Sequence, residues 1–157
     1  MALAKTLFWL ALVVWLGEIV FFSFVVAPSV FGAFPKEVAG QVVGAIFPRY
    51  YAVGVVAGVI ALGAAIVLRG GTSATRGWSA IVAMLVIMIA ATLYAGRVVE
   101  PRARALRPQL RAEPVDAAVR AEFDRLHRLA VQLNGTVLLL GVVSVCVAAI
   151  SLELPPR

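Results

Sequence analysis

The stretch KTLFWLALVVWLGEIVFFSFVVA at residues 5–27 decides the fold. It exceeds the ~20 residues that an α-helix needs to cross ~30 Å of hydrocarbon, and between Lys5 at its edge and Ala27 its one charge is Glu18. A water-soluble helix of that length would carry a polar face, and this one has none. Three further runs of the same kind lie at about 49–68, 77–99 and 129–150, and little polar sequence separates them. The chain has 157 residues, 62% hydrophobic and 14% charged, with a mean hydropathy of +1.00. That composition excludes a soluble domain, and the length leaves room for one bundle. The expectation is an all-α protein, a single integral membrane domain over 1–157 with four transmembrane helices. A secretory signal core is ~7 to 15 residues long, so the run at 5–27, with Glu18 inside it, predicts a retained first helix.

Breakers set the expected boundaries. Pro28 closes the first helix, and Gly70-Gly71-Thr72-Ser73 makes a loop between the second and third. Before the second span, Val38, Val42, Val43 and Ile46 recur at helical spacing. They predict a short interfacial helix over 36–47 that turns at Pro48 into the membrane. The fourth helix is expected to start near Asp116 and run uninterrupted into its span, some 35 residues or ~50 Å, so it must project from the bilayer. The third is expected to do the same toward Pro108, and the two extensions can pair as a stalk.

With four spans, both termini share one side. Lys5, Arg69, Arg76 and Arg157 belong there, and the other ten bases belong to the side of the 1/2 and 3/4 connections. The bias assigns the richer side, with the 3/4 connection, to the cytoplasm of a plasma or inner membrane and the termini to the outside. The net charge of +6 does not point to nucleic acid. Six acids (Glu37, Glu100, Glu113, Asp116, Glu122, Asp124) share the basic side, and no module combines basic and stacking residues. A partly self-neutralised surface explains that charge, and anionic lipid headgroups are the partner it would attract.

Polar residues within the spans carry more information. Glu18 lies nine residues before Ala27, ~13 Å along the helix, where an ionised carboxylate costs a few kcal/mol unless it faces a partner or holds a proton. Asn134 lies seven residues past His127, on the same helical face and ~10 Å deeper. Thr92, Tyr94 and Arg97 offer donors from the third helix, and Gln41, Tyr50 and Tyr51 from the second. Hydrogen bonds that glue the helices would account for these groups as well as a ligand or proton site does.

Three motifs resemble the transmembrane-protein-205-like family of small four-helix membrane proteins. The first is Phe34-Pro35-Lys36, Gly40 and Ile46-Phe47-Pro48-Arg49-Tyr50-Tyr51. The second is Arg97-Val98-Val99-Glu100-Pro101-Arg102, and the third is Phe123 with His127 and Asn134. The resemblance covers the whole chain and implies a four-helix membrane bundle, but no settled activity. The chain departs from the pattern at Glu18, near a place where a neutral amide is expected, and at Ala130, where a serine is.

All three motifs open on one membrane face. They predict either a structural Arg/Glu/His lock between helices or a ligand pocket. In the pocket, Phe47, Tyr50 and Tyr51 form walls, Arg97, Arg102 and His127 meet a small anionic or amphipathic solute, Tyr94 offers a donor, and the bend at Pro101 aims Glu100 toward His127. Glu18 and Asn134 form its floor and can exchange a proton or cation. No metal site is expected from one His and one Cys, and no cofactor is predicted; haem would have His127 as its one histidine axial ligand with a Tyr or Met as a second, and quinone chemistry would use the same Tyr/His/Arg pocket. Cys146 is expected to be a small core residue, too far from His127 to form a nucleophile–base pair. Small residues such as Gly54, Ala57, Gly58 and Ala61 on the second span suit packing within the bundle or a homo-oligomer interface.

Overall fold

The computed structural model describes residues 1–71, 74–111, 114 and 116–153, the side chains of Leu152 and Glu153 excepted. Thr72, Ser73, Glu113 and Arg157 of the sequence reading lie outside the described residues. Among them the chain forms four long helices and no strand: α1 (Ala2–Ala33), α2 (Lys36–Gly70), α3 (Thr75–Arg111) and α4 (Ala117–Glu153). Each is apolar enough to cross a membrane, and the chain is a multi-pass integral membrane protein. At 1.5 Å per residue all four exceed the hydrocarbon thickness, so the projection expected of the third and fourth helices is common to the whole bundle. The end of α3 packs on α4, as the paired extensions predict.

Prolines were the poorest guide to where helices stop. Pro28 does not close α1, which continues to Ala33 through a π-helical turn at Phe22–Val26. Pro101 stands in the same relation to a π turn at Ala95–Val99 in α3. In both, the residue before the proline donates its N–H five residues back, Ala27 to Phe22 O and Glu100 to Ala95 O. The widened turn makes room for a ring that would clash with the carbonyl four residues back. The separate interfacial helix expected over 36–47 is instead the beginning of α2, which runs unbroken through Pro48. Pro48 has no N–H for the Gly44 carbonyl, and Arg104 Nη2 of α3 donates to that oxygen at 3.1 Å. The backbone bond lost at the proline is thus replaced by a side chain from a neighbouring helix.

The helices pack in sequence, α1 on α2, α2 on α3 and α3 on α4, while α4 returns to α1 through a thinner contact. The small residues of α2 face inward: a Cβ on Gly58 would stand 2.7 Å from the Trp15 ring and 2.8 Å from Ile89. Close approach of α1, α2 and α3 therefore depends on that glycine. Around it lies a core of Phe8, Leu12, Trp15, Ile19, Trp78 and Leu85, with Phe8 edge-on to Trp78. The outer surface carries Leu10, Phe21, Phe24, Val56, Ile66 and Leu139, exposed as lipid-facing side chains are. Cys146 belongs to that surface rather than to the core. The inner stripe of α4 is Val137, Gly141, Ser144 and Ala148, which leaves position 146 on the opposite face.

Candidate functional site

The polar groups gather at the arginine-rich end, the end of the α1/α2 and α3/α4 connections. Phe22 of α1 meets Phe47 and Tyr50 of α2 at ring-centroid distances of 5.4 and 5.0 Å. Phe47 stacks on Tyr51 at 5.7 Å, and Tyr51 lies edge-on to Tyr50. Gly96, inside the π turn of α3, seats the Tyr51 ring: a Cβ there would stand 2.8 Å from it. These rings wall a chamber of about 340 Å³, which α4 completes with Phe123, His127, Ala130 and Asn134 and α3 with Arg107. The chamber lies along the thin α1/α4 seam.

Two further spaces adjoin it. Outward is a vestibule of about 480 Å³ whose lining is mixed but mainly basic, with Lys36, Arg107, Arg111 and Arg120 against Glu37 and Asp124. Phe31, Gly40, Arg107, Phe123 and His127 border both vestibule and chamber. Inward is a pocket of about 10 Å³ beside Glu18, which shares Tyr50, Tyr51 and Asn134 with the chamber. The three spaces form a series from the arginine-rich surface to a carboxylate within the first span.

Hydrogen bonds tie this series together. Tyr50 donates its hydroxyl to Asn134 Oδ1 at 2.5 Å, and Asn134 Nδ2 donates to Ser23 Oγ at 3.2 Å, joining α2, α4 and α1. Thr92 donates to Met88 O within α3. Glu18 is half-buried; its Oε2 is shielded and has no hydrogen-bond partner among the described residues.

Two bases of α3 meet different fates. Arg104 is fully engaged, with Nε donating to Glu100 Oε1 at 2.9 Å and Nη2 to Gly44 O. Glu100 is buried, and this pairing supplies the countercharge a buried carboxylate needs. Arg107 is half-buried beside Gly44, where a Cβ would overlap its guanidinium, and that group has no hydrogen-bond or ion-pair partner among the described residues. It borders both vestibule and chamber, with only the longer-range attraction of Glu100, which Arg104 already holds.

Of the residues named from sequence, the structure brings Glu18, Phe47, Tyr50, Tyr51, His127 and Asn134 around the connected spaces. Glu100 is beneath them in its pair with Arg104. Tyr94, Arg97 and Arg102 are exposed and line none of the three spaces. For Arg102, which follows the π turn of α3, the displacement has a physical cause. The buried stripe of α3 runs through Trp78, Ile81, Leu85, Met88, Thr92 and Ala95, which in an unbroken α-helix would continue to 99, 102 and 106. Val99 is still buried, and the extra residue of the π turn brings Glu100 in beside it, with the half-exposed Arg104 and the half-buried Arg107 following on that side. Ser23, Phe22 and Arg107 escaped the sequence reading. The signal for the first and last was the parallel between Val25-Val26-Ala27-Pro28 and Val98-Val99-Glu100-Pro101, which marks both π turns.

The chain matches the family described as a domain of unknown function (DUF4149) over residues 10–112. It belongs to that family, whose match covers α1 from Leu10 onward, α2 and α3 including the 3₁₀ turn Gln109–Arg111. No curated protein and no protein of solved structure matches it.

Proposed function

We propose that this protein binds an amphipathic anion, one anionic head on an apolar chain, in the chamber at its arginine-rich end. The observation that carries the reading is the Arg107 guanidinium, which is half-buried, unpaired among the described residues and placed between a charged vestibule and an aromatic chamber. A half-buried guanidinium without a hydrogen-bond partner carries a cost that Glu100 offsets only in part, and an anionic ligand removes it through charge-assisted hydrogen bonds. Phe22, Phe47 and Phe123 suit the apolar part, and the chamber's 340 Å³ lies within the range of small-molecule sites. A molecule dissolved in the bilayer would reach the chamber through the α1/α4 seam. The positive-inside bias supports placing this end at the cytoplasm, and passage of the ligand between leaflet and vestibule is the transport role that the series of spaces supports. The three motifs support kinship with the transmembrane-protein-205-like proteins as a finer part of the same proposal.

The test is calorimetric titration of the full chain in nanodiscs of zwitterionic lipid. Dodecanesulfonate has both head and tail; methanesulfonate lacks the tail. The sulfonate with its tail is expected to bind, the head alone far more weakly, and Arg107→Gln is expected to lower affinity about 10- to 100-fold, the worth of ~1.5 to 3 kcal/mol in a charged hydrogen bond. Adding phosphatidylglycerol to the bilayer separates two occupants: a lipid ligand would compete with the sulfonate, whereas a free amphiphile's affinity would stay unchanged. Equal binding by wild type and Arg107→Gln would overturn the reading.

A further inference from the structure

The pocket beside Glu18 has a feature that an anion site does not require: a carboxylate facing the chamber from behind. About 10 Å³ is room for a single water, and such a water needs two to four polar partners. The pocket provides them. Glu18 Oε2 is shielded and without a partner among the described residues. Tyr50 gives its hydrogen to Asn134 and Thr92 gives its own to Met88, so both hydroxyl oxygens keep lone pairs free to accept. From α2 the titratable groups facing Glu18 are Tyr50 and Tyr51. From α3 the lining is Ala91, Thr92 and Ala95, and from α4 Leu133, Asn134 and Val137, none of them titratable. No base lines this pocket; Arg107 and His127 border the next space outward.

Tyr50, Tyr51 and Asn134 are therefore a common wall, with Glu18 on one side and the anion chamber on the other. Two negative charges across such a wall repel through a medium of low polarisability. We infer that Glu18 and its pocket form a proton-binding site coupled to the chamber, so that one proton is taken up at Glu18 when one anion binds. This rests on the anion-binding reading and adds the ion that accompanies the anion. The balance is simple: a proton from water joins Glu18 Oε2 as a monoanion enters, no net charge is added, and the two leave together. By linkage, anion affinity rises as pH falls, by up to about tenfold per pH unit for one coupled proton, and anion binding favours protonated Glu18 in return.

The experiment titrates dodecanesulfonate, which stays ionised throughout, into the full chain in zwitterionic nanodiscs at several pH values. Wild type, Glu18→Gln and His127→Gln are compared, because His127 borders the chamber and could take up a proton itself. The expected result is that Glu18→Gln still binds the sulfonate but loses the pH slope, whereas His127→Gln keeps it. On the wild type, infrared difference spectra upon sulfonate addition are expected to gain a protonated-carboxyl band that Glu18→Gln lacks. A slope retained in Glu18→Gln, a slope lost only in His127→Gln, or the absence of that band with the sulfonate bound would each overturn the coupling. Absence of sulfonate binding in the wild type would overturn the anion site itself, so the two failures are distinguishable.

Discussion

Arg104 and Arg107 are one turn apart on α3, yet their surroundings give them opposite work. Arg104 holds the buried Glu100 and the Gly44 carbonyl that Pro48 leaves without a donor. Its replacement by alanine orphans both acceptors, and Arg104→Ala is expected to lose about 1 to 3 kcal/mol of stability in denaturant titration, toward the low end because the side chain is half exposed. Arg107→Gln removes no hydrogen bond of the free protein, and because the burial cost of the charge and its attraction to Glu100 oppose each other, the unfolding midpoint is expected to move by less than about 1 kcal/mol while ligand affinity falls. A second variant tests the same point from the backbone side. Gly44→Ala places a methyl group where the Arg107 guanidinium lies, and because that is the end of a flexible chain the arginine swings away rather than the helix yielding. Helix propensity favours alanine there by up to about 1 kcal/mol, so stability should hold or rise while sulfonate affinity drops, as calorimetry and thermal unfolding on one sample would report.

The existence and order of four apolar helices were legible in the sequence because hydrophobic length is a nearly sufficient signal for a membrane helix. What each helix turns inward was legible only up to the π turns. Glu18 precedes the π turn of α1, and Asn134 lies on α4, which has no π turn, so neither is moved by a register change, and both line one pocket. Past Val99, the expected bend at Pro101 aims Arg102 and Glu100 toward His127, while the extra residue of the π turn puts Arg104 and Arg107 on the inner side in place of Arg102. Prolines compounded the error: Pro28 suggests an end, yet the wide turn before it lets α1 continue to Ala33 and carry Phe31 to the vestibule. The register shift itself is testable. With Cys146 replaced by serine, Arg102→Cys should react readily with a water-soluble maleimide, since position 102 is exposed. Deleting Val98 restores an unbroken α period and rotates everything beyond by about 100°. The same cysteine is then expected to be shielded, with labelling slowed at least severalfold; unchanged labelling would show that the π turn does not set the register.

At the scale of the whole molecule, the bundle is closed on three seams and thin on the fourth, and the chamber lies along that fourth seam. A site walled by aromatic rings from α1 and α2 but reached between α1 and α4 would exchange its occupant with the bilayer without separating the well-packed helices. Closing the site should then require only a plug on α4. Ala130 borders the chamber, is half-buried and lies one turn from both His127 and Asn134. Ala130→Trp is expected to fill the space between Phe47 and Phe123 and to abolish dodecanesulfonate binding. The core around Phe8 and Trp78 lies toward the other end of the helices, and the unfolding midpoint should hold within about 1 kcal/mol, since a substitution into open space avoids the ~1 to 3 kcal/mol of overpacking. Calorimetry and thermal unfolding of the same preparation would separate the outcomes. If Ala130→Trp binds the sulfonate as the wild type does, the ligand does not occupy this chamber, and Arg107 would then serve the vestibule alone.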